Sequence, residues 1–249
     1  VPAGIAGTVI FGLRALAVIA VCVVSCVVFE ILSRKIMKRS FTAGDLSAIV
    51  TGLLLAYNLP VSIPLWMCVI GSFVAIVIVK QLFGGIGQNF ANPAITARIV
   101  LLVSFASAMT NFTMPLPWKM DAVATATPLS ALGSVDLTGD IASQLRALTN
   151  NGSLPEMKEM LFGIRGGCIG ETCAAALLLG ALFLLARGVI SLRIPASYII
   201  TVAVFMLAVS HGNAAFMFYE ITAGGLLLGA FFMATDYSTS PMSKKGKIV

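Results

Sequence analysis

Four charged side chains stand in or beside apolar runs, where a charge is expensive and needs a partner or a task. Asp45 and Glu171 sit near helix starts, where the positive end of the macrodipole favours a carboxylate. Arg98 lies a few residues into its run, and Asp236 just past the end of another. Capping and snorkelling account for all four; ion passage, or the holding of an anionic group, accounts for them equally. Asp236 stands close to Thr239, Ser240 and Pro241. A carboxylate among hydroxyls and carbonyls offers oxygen ligands to a hard cation, or a proton site if desolvation raises its affinity. A helix-end turn in which Asp236 bonds its own neighbours has the same sequence. Asp236 is the first candidate for ion coupling, with Asp45 and Glu171 next.

Two polar stretches add chemistry of another kind. In the segment 84–94, GGIGQNFANPA, Gly84, Gly85 and Gly87 permit a tight backbone around Asn89. Asn92-Pro93 can start a helix with its first N–H groups free. Such a loop can cradle a phosphate or a ring carbonyl, although a re-entrant turn needs the same residues. Farther on, Thr125 and Thr127 follow Asp121 on a strip of alanines, DAVATATPL. Taken alone, this is a polar loop with threonines. The five cysteines, Cys22, Cys26, Cys68, Cys168 and Cys173, form no CxxC pair, and His211 is the single histidine. The chain is expected to build no metal site of its own, its cysteines packing as small hydrophobes; a cysteine-ligated iron centre made jointly with another subunit is the alternative.

The elements that position these residues belong to a polytopic membrane protein. Of 249 residues 59% are hydrophobic and 10% charged, far below the roughly 25% charge of soluble domains, and the mean hydropathy is +1.01. The 23 glycines fit helices packed closely through small residues. About eight apolar runs are spans: 1–12, 15–32, 46–59, 65–79, 95–108, 168–186, 198–209 and 221–234. The net charge of +6 lies in short clusters between them, a pattern of membrane topology rather than of nucleic-acid binding. If Arg34, Lys35, Lys38 and Arg39 are cytoplasmic, alternation puts Lys80, Arg187, Arg193, Lys244, Lys245 and Lys247 on that side. The long polar segment 110–165, with four basic and five acidic residues, then faces outward. Thr42-Ala43-Gly44 and Thr222-Ala223-Gly224 each open a short apolar run, and the two runs cross in opposite directions, as in an inverted repeat. A chance tripeptide reads the same. Val1 opens inside an apolar stretch and Val249 follows a basic cluster, so a piece of a longer chain is expected. The domains expected are 1–109 (first set of membrane helices), 110–166 (external segment) and 167–249 (second set).

Asp121, Ala126 and Thr127 resemble the flavinylation motif in which FMN is joined through its phosphate to a threonine hydroxyl; Ala124 and Thr125 depart from its usual residues. The reaction needs an exposed hydroxyl on a strip of small residues and a nearby carboxylate. Phe11 to Leu16, Gly52 to Ala56, the 84–94 loop, Thr127-Pro128-Leu129, Gly170-Glu171-Thr172, Met233 to Asp236 and Thr239-Ser240-Pro241 follow in order along nearly the whole chain. They resemble the D subunit of the Rnf electron-transport complex and its relative, the B subunit of the sodium-pumping NADH:quinone reductase.

The resemblance implies an all-α membrane bundle of inverted repeats similar to urea transporters. It implies an electron-relaying flavoprotein subunit, in a complex coupling electron flow between ferredoxin and NAD to Na⁺ or H⁺ movement. Thr127 would carry covalent FMN, with Asp121 assisting. Riboflavin is a possible second flavin, nearer the cytoplasm, and Gly84, Gly85, Gly87, Asn89, Asn92, Thr239 and Ser240 are the further cofactor-binding residues expected. Partners implied are the lipid bilayer and the other Rnf subunits (A, B, C, E and G), with ferredoxin and NAD met only through them. The expected location is the inner (plasma) membrane, with the flavin-bearing segment outside. A solute channel of the same bundle shape, with Thr127 unmodified, is the rival of another class.

Overall fold

A computed structural model describes residues 1–40, 43–115, 126–241, 243 and 245–248; Thr42, Asp121, Ala124, Thr125 and Lys244 lie outside them. Among the described residues all regular structure is helical. The helices are α1 (Pro2–Phe11), α2 (Leu13–Ile36), α3 (Ser47–Tyr57), α4 (Leu65–Gln81), α5 (Pro93–Ser104) and α6 (Ala106–Met109), followed by α7 (Pro128–Leu132), α8 (Ile141–Asn150) and α9 (Met157–Phe162). Then come α10 (Ala174–Ala186), α11 (Arg193–Val209), α12 (Ala214–Thr222) and α13 (Leu226–Met233).

Helix α2 shows how an apolar sequence makes this bundle. Ala15, Val18, Cys22 and Cys26 recur at helical spacing and face inward, while Leu16, Val24 and Val28 point outward. Its inner face is made of small side chains, so neighbours come close. A Cβ on Gly52 of α3 would lie 2.8 Å from Val23 Cα, a contact only glycine permits. The outer faces of α10 and α11 carry exposed Leu179, Leu182, Phe183, Ile200, Val204 and Phe205, an exterior suited to hydrocarbon rather than water.

Among the described residues α2 alone is long and apolar enough to cross a membrane; α12 and α13 qualify as a pair bent by 65°, and six further apolar helices have 10–17 residues. The expected spans therefore need three corrections. The run 221–234 is not one helix, because the chain turns at Thr222 to Gly225 and α12 begins seven residues before the run does. The run 168–186 is helical only from Ala174; residues 168–172 lie in a buried turn that pairs Cys168 with Pro60. The run 95–108 breaks at Phe105.

Helices α4 and α13 both end in wide turns with five-residue hydrogen bonds, Leu82 N to Val77 O at 3.0 Å and Ala234 N to Gly229 O at 2.8 Å. Such π-type turns are uncommon and concentrate at functional sites. The segment from Thr127 to Arg165 builds a second small core. In it Leu132, Ile141, Leu145 and Met160 pack with Phe216 and Tyr219 of α12. Asp140 caps α8, and Glu156 and Glu159 form a capping box on α9.

Candidate functional sites: two cavities joined by one helix

Thr127 has extended backbone angles and caps α7, its Oγ1 accepting from the Ser130 amide at 3.3 Å. Pro128 follows at the first helical position, which fixes the direction of entry. Half-buried Thr127 opens onto a cavity of about 220 Å³ that also receives Arg98, Arg165, Glu171, Gly224 and Gly225.

The charges around this cavity are held by long-range bonds. Arg165 is buried; its Nε donates to Thr172 O at 3.0 Å and its Nη2 to Glu171 O at 2.6 Å. Its Nη1 donates to Thr222 O, tying the 165–172 turn to the end of α12. Burial lowers the affinity of its guanidinium for its proton, to a pKa of about 10, with the Glu171 carboxylate opposing the shift. Arg165 is therefore a cation at neutral pH. Arg98 Nη1 donates to Asn58 Oδ1 at 2.9 Å. Glu171 is not a helix cap: its Oε1 accepts from the Cys168 amide at 3.0 Å, within the buried turn. Its Oε2 is buried and meets no hydrogen-bond partner among the described residues. Sequence reasoning singled out Glu171 and Thr127 separately. The structure brings them to one cavity, together with Arg98, and adds Arg165, whose place in the long polar segment concealed its burial.

The second cavity, of about 490 Å³, lies where the glycine loop meets the end of α13. Gly87, Asn89, Asn92 and Asp236 line it, as do Ser47, Thr51, Lys80 and Ser238, while Ile190, Phe231 and Phe232 supply an apolar wall. Asn92 caps α5, its Oδ1 accepting from the amides of Ala94 at 3.1 Å and Ile95 at 3.3 Å. Asn89 Nδ2 donates to Ala91 O at 2.9 Å and to Ser238 Oγ at 3.0 Å, which pins the loop to the chain beyond α13. Gly84 and Gly85 do not line the cavity. They take positive φ and turn back against Gln88 and Arg34. Thr239 and Ser240 likewise lie outside its lining, and Ser238 takes that place.

Asp236 is answered by its own turn. Its Oδ2 accepts from Ser238 Oγ at 2.9 Å and Thr239 Oγ1 at 3.5 Å, yet the residue still faces the cavity. Asp45, exposed, accepts from the Ser47 amide at 2.9 Å and hydroxyl at 2.6 Å. Burial pushes its carboxyl up, but the Ser47 bonds outweigh this and the net shift is below the usual value. Lys80, expected at the end of a span among the topology-setting cations, is instead buried. Its Nζ lies 3.1 and 2.9 Å from the two oxygens of Glu30 and also bonds Ser47 Oγ, while Gln81 Nε2 donates to Glu30 at 3.0 Å.

Helix α5 joins the two cavities. Asn92 stands in one and Arg98 in the other, about 9 Å apart along the axis at 1.5 Å per residue. Asn92 Nδ2 donates to Met233 O at 3.5 Å, and Asn58 bridges Met233 Sδ at 3.6 Å to Arg98.

An apolar exterior, short and bent helices and two cavities lined in part by polar residues fit a helical membrane protein. Comparison with known proteins gives the family. The model of the NQR2, RnfD, RnfE family matches residues 1–249, and the chain belongs to this family of membrane proteins. The chain is 46% identical over 242 residues to the D subunit of the Na(+)-translocating ferredoxin:NAD(+) oxidoreductase complex of Acetobacterium woodii, covering 96% of this chain and 70% of that relative. It is 41% identical over 251 residues to the D subunit of the proton-translocating ferredoxin:NAD(+) oxidoreductase complex of Clostridium ljungdahlii, covering 100% of this chain and 74% of the relative. It is 35% identical over 271 residues to the D subunit of an ion-translocating oxidoreductase complex of Rhodobacter capsulatus, with 100% and 74% covered.

Proposed function

We propose that this chain is the D subunit of an Rnf-type complex that couples electron flow between ferredoxin and NAD to Na⁺ or H⁺ translocation. In this reading it is an electron relay carrying FMN as a phosphoester on Thr127. Its partners are the other Rnf subunits, through which ferredoxin and NAD are met. Its identity to D subunits favours this complex over the sodium-pumping quinone reductase.

The observation that carries the flavin reading is Thr127 itself, a half-buried residue beside a cavity that Arg98, Arg165 and Glu171 also line. When bound, the flavin supplies the one-electron chemistry, and the protein positions and tunes it. Arg165 fixes the floor of the cavity, and Arg98 presents a positive charge to it. The second cavity, with its apolar wall and the amides of Asn89 and Asn92, suits a noncovalent flavin such as riboflavin. Asp236 faces that same cavity and is the first ion-coupling candidate, ahead of Asp45 and Glu171.

Thr127→Ala is expected to abolish the fluorescent flavin band of this chain on a denaturing gel, whereas Thr125→Ala keeps it. A band retained by Thr127→Ala sinks the assignment, and a wild-type chain with no band favours the unmodified solute channel. The chain lies in the plasma membrane with the Thr127 segment outside in this reading. An impermeant thiol reagent added from outside should then label Ser153→Cys and spare Lys38→Cys; the opposite pattern reverses the orientation.

A further inference from the structure

We infer that Asp45, Ser47, Lys80 and Glu30 form a proton relay that loads Glu30 when the complex is reduced. The inference rests on the electron-carrying role proposed above. Ionisable side chains buried in a membrane bundle need a partner or a task, and here they are joined end to end. Asp45 is exposed, and its Oδ1 accepts from the Ser47 hydroxyl at 2.6 Å. The same hydroxyl accepts from Lys80 Nζ, which lies 3.1 and 2.9 Å from the two oxygens of Glu30. Lys80 is 3% exposed and Glu30 0%. Hydrogen bonds therefore run without a gap from a solvent-facing acid to a fully buried one.

A structural ion pair needs no more than Lys80 and Glu30; the position of this one gives it a task. Ser47 and Lys80 both line the glycine-loop cavity of about 490 Å³, where a noncovalent flavin is proposed and which Asp236 also faces. Negative charge arriving in that cavity acts on Lys80 at short range, and one proton taken up at Glu30 offsets it. Cys26 and Arg34 stand one turn to either side of Glu30 on α2, and Cys26 is within electrostatic reach of both Glu30 and Lys80. On α4 Gln81 Nε2 donates to Glu30 at 3.0 Å, and Arg39 Nη1 holds the Gln81 carbonyl at 2.8 Å. None of these neighbours is an acid, which leaves Glu30 as the buried acceptor.

In the relay one proton moves inward. Lys80 passes a proton to Glu30, the Ser47 hydroxyl passes its own to Lys80, and Ser47 takes one from Asp45, which takes one from water. Lys80 ends as a cation, Ser47 as an alcohol and Asp45 as a carboxylate; Glu30 alone is changed, to the neutral acid. A hydroxyl serves as the middle link because it both donates and accepts. A sodium ion cannot take this route, since the Lys80 ammonium stands between Ser47 and Glu30 and repels it.

The test is redox-induced infrared difference spectroscopy of the intact complex, reduced through ferredoxin in ordinary and in heavy water. Reduction should raise a protonated-carboxyl C=O band that shifts in heavy water and is absent from Glu30→Gln. Ser47→Ala leaves the ion pair in place; it should keep the band but slow its appearance after rapid reduction by at least about tenfold. A wild-type complex with no such band, a band that survives Glu30→Gln, or an unchanged rate in Ser47→Ala overturns the inference. So does a band whose size follows Na⁺ concentration at fixed pH. Flavin bound to this chain is measured in the same samples. A chain without flavin whose complex still shows the Glu30 band fails the electron-carrying role, whereas a flavin-bearing chain without the band fails the relay. Should Glu30→Gln not assemble, the rate in Ser47→Ala decides.

Discussion

Two buried carboxylates in this molecule, Glu30 and Glu171, meet opposite fates. Glu30 is saturated: Lys80 Nζ lies 2.9 Å from one oxygen and 3.1 Å from the other, and Gln81 adds a further donor at 3.0 Å. Glu171 has one oxygen bonded and one bare, with Arg98 nearby but committed to Asn58. The first arrangement gives both carboxylate oxygens a donor and joins α2 to α4. The second leaves one carboxylate oxygen without a donor among the described residues. The difference lies in whether all the donors are built in, rather than in depth of burial.

The sharpest way to break this contrast is to remove one partner from each pair. Lys80→Ala strands Glu30 and should cost about 3–5 kcal/mol, read as loss of folded protein on thermal unfolding in detergent. Glu171→Gln keeps an acceptor for the Cys168 amide and should cost less than about 1 kcal/mol. Equal losses from the two variants would show that the two sites are alike in kind. A smaller effect concerns the ion. Asp236→Asn keeps the turn with Ser238 and Thr239 but removes the charge facing the glycine-loop cavity. It should lower ferredoxin-driven ion uptake more than flavin content. Full uptake would leave Asp236 a turn residue only.

The sequence showed best what local rules decide. The length of α2 follows from an apolar run, and the start of α5 follows from Asn92-Pro93, whose capping chemistry needs nothing beyond three residues. The glycine loop was legible as a tight turn, but which glycines face the cavity was not, because Gly84 and Gly85 turn toward Gln88 and Arg34. The break between α12 and α13 was hidden by apolar composition that runs straight through it. The pairing of Glu30 with Lys80 joins residues fifty positions apart, and no pattern along the chain announces it. The same holds for Arg165, which looks like one loop cation among four until Thr222, Glu171 and Thr172 close around it. Ser238 replaced Thr239 and Ser240 for a simpler reason: the direction of a side chain in a turn depends on backbone angles that composition does not encode.

Everything assigned to the Thr127 cavity depends on what that threonine carries. The intact mass of the chain, purified from its native complex, tests this directly. The account predicts a mass above that of the amino-acid sequence by FMN less one water, with fragmentation placing the addition on Thr127 and a Thr127→Ala chain at the bare mass. A wild-type chain at the bare mass, or an addition that persists in Thr127→Ala, would contradict it.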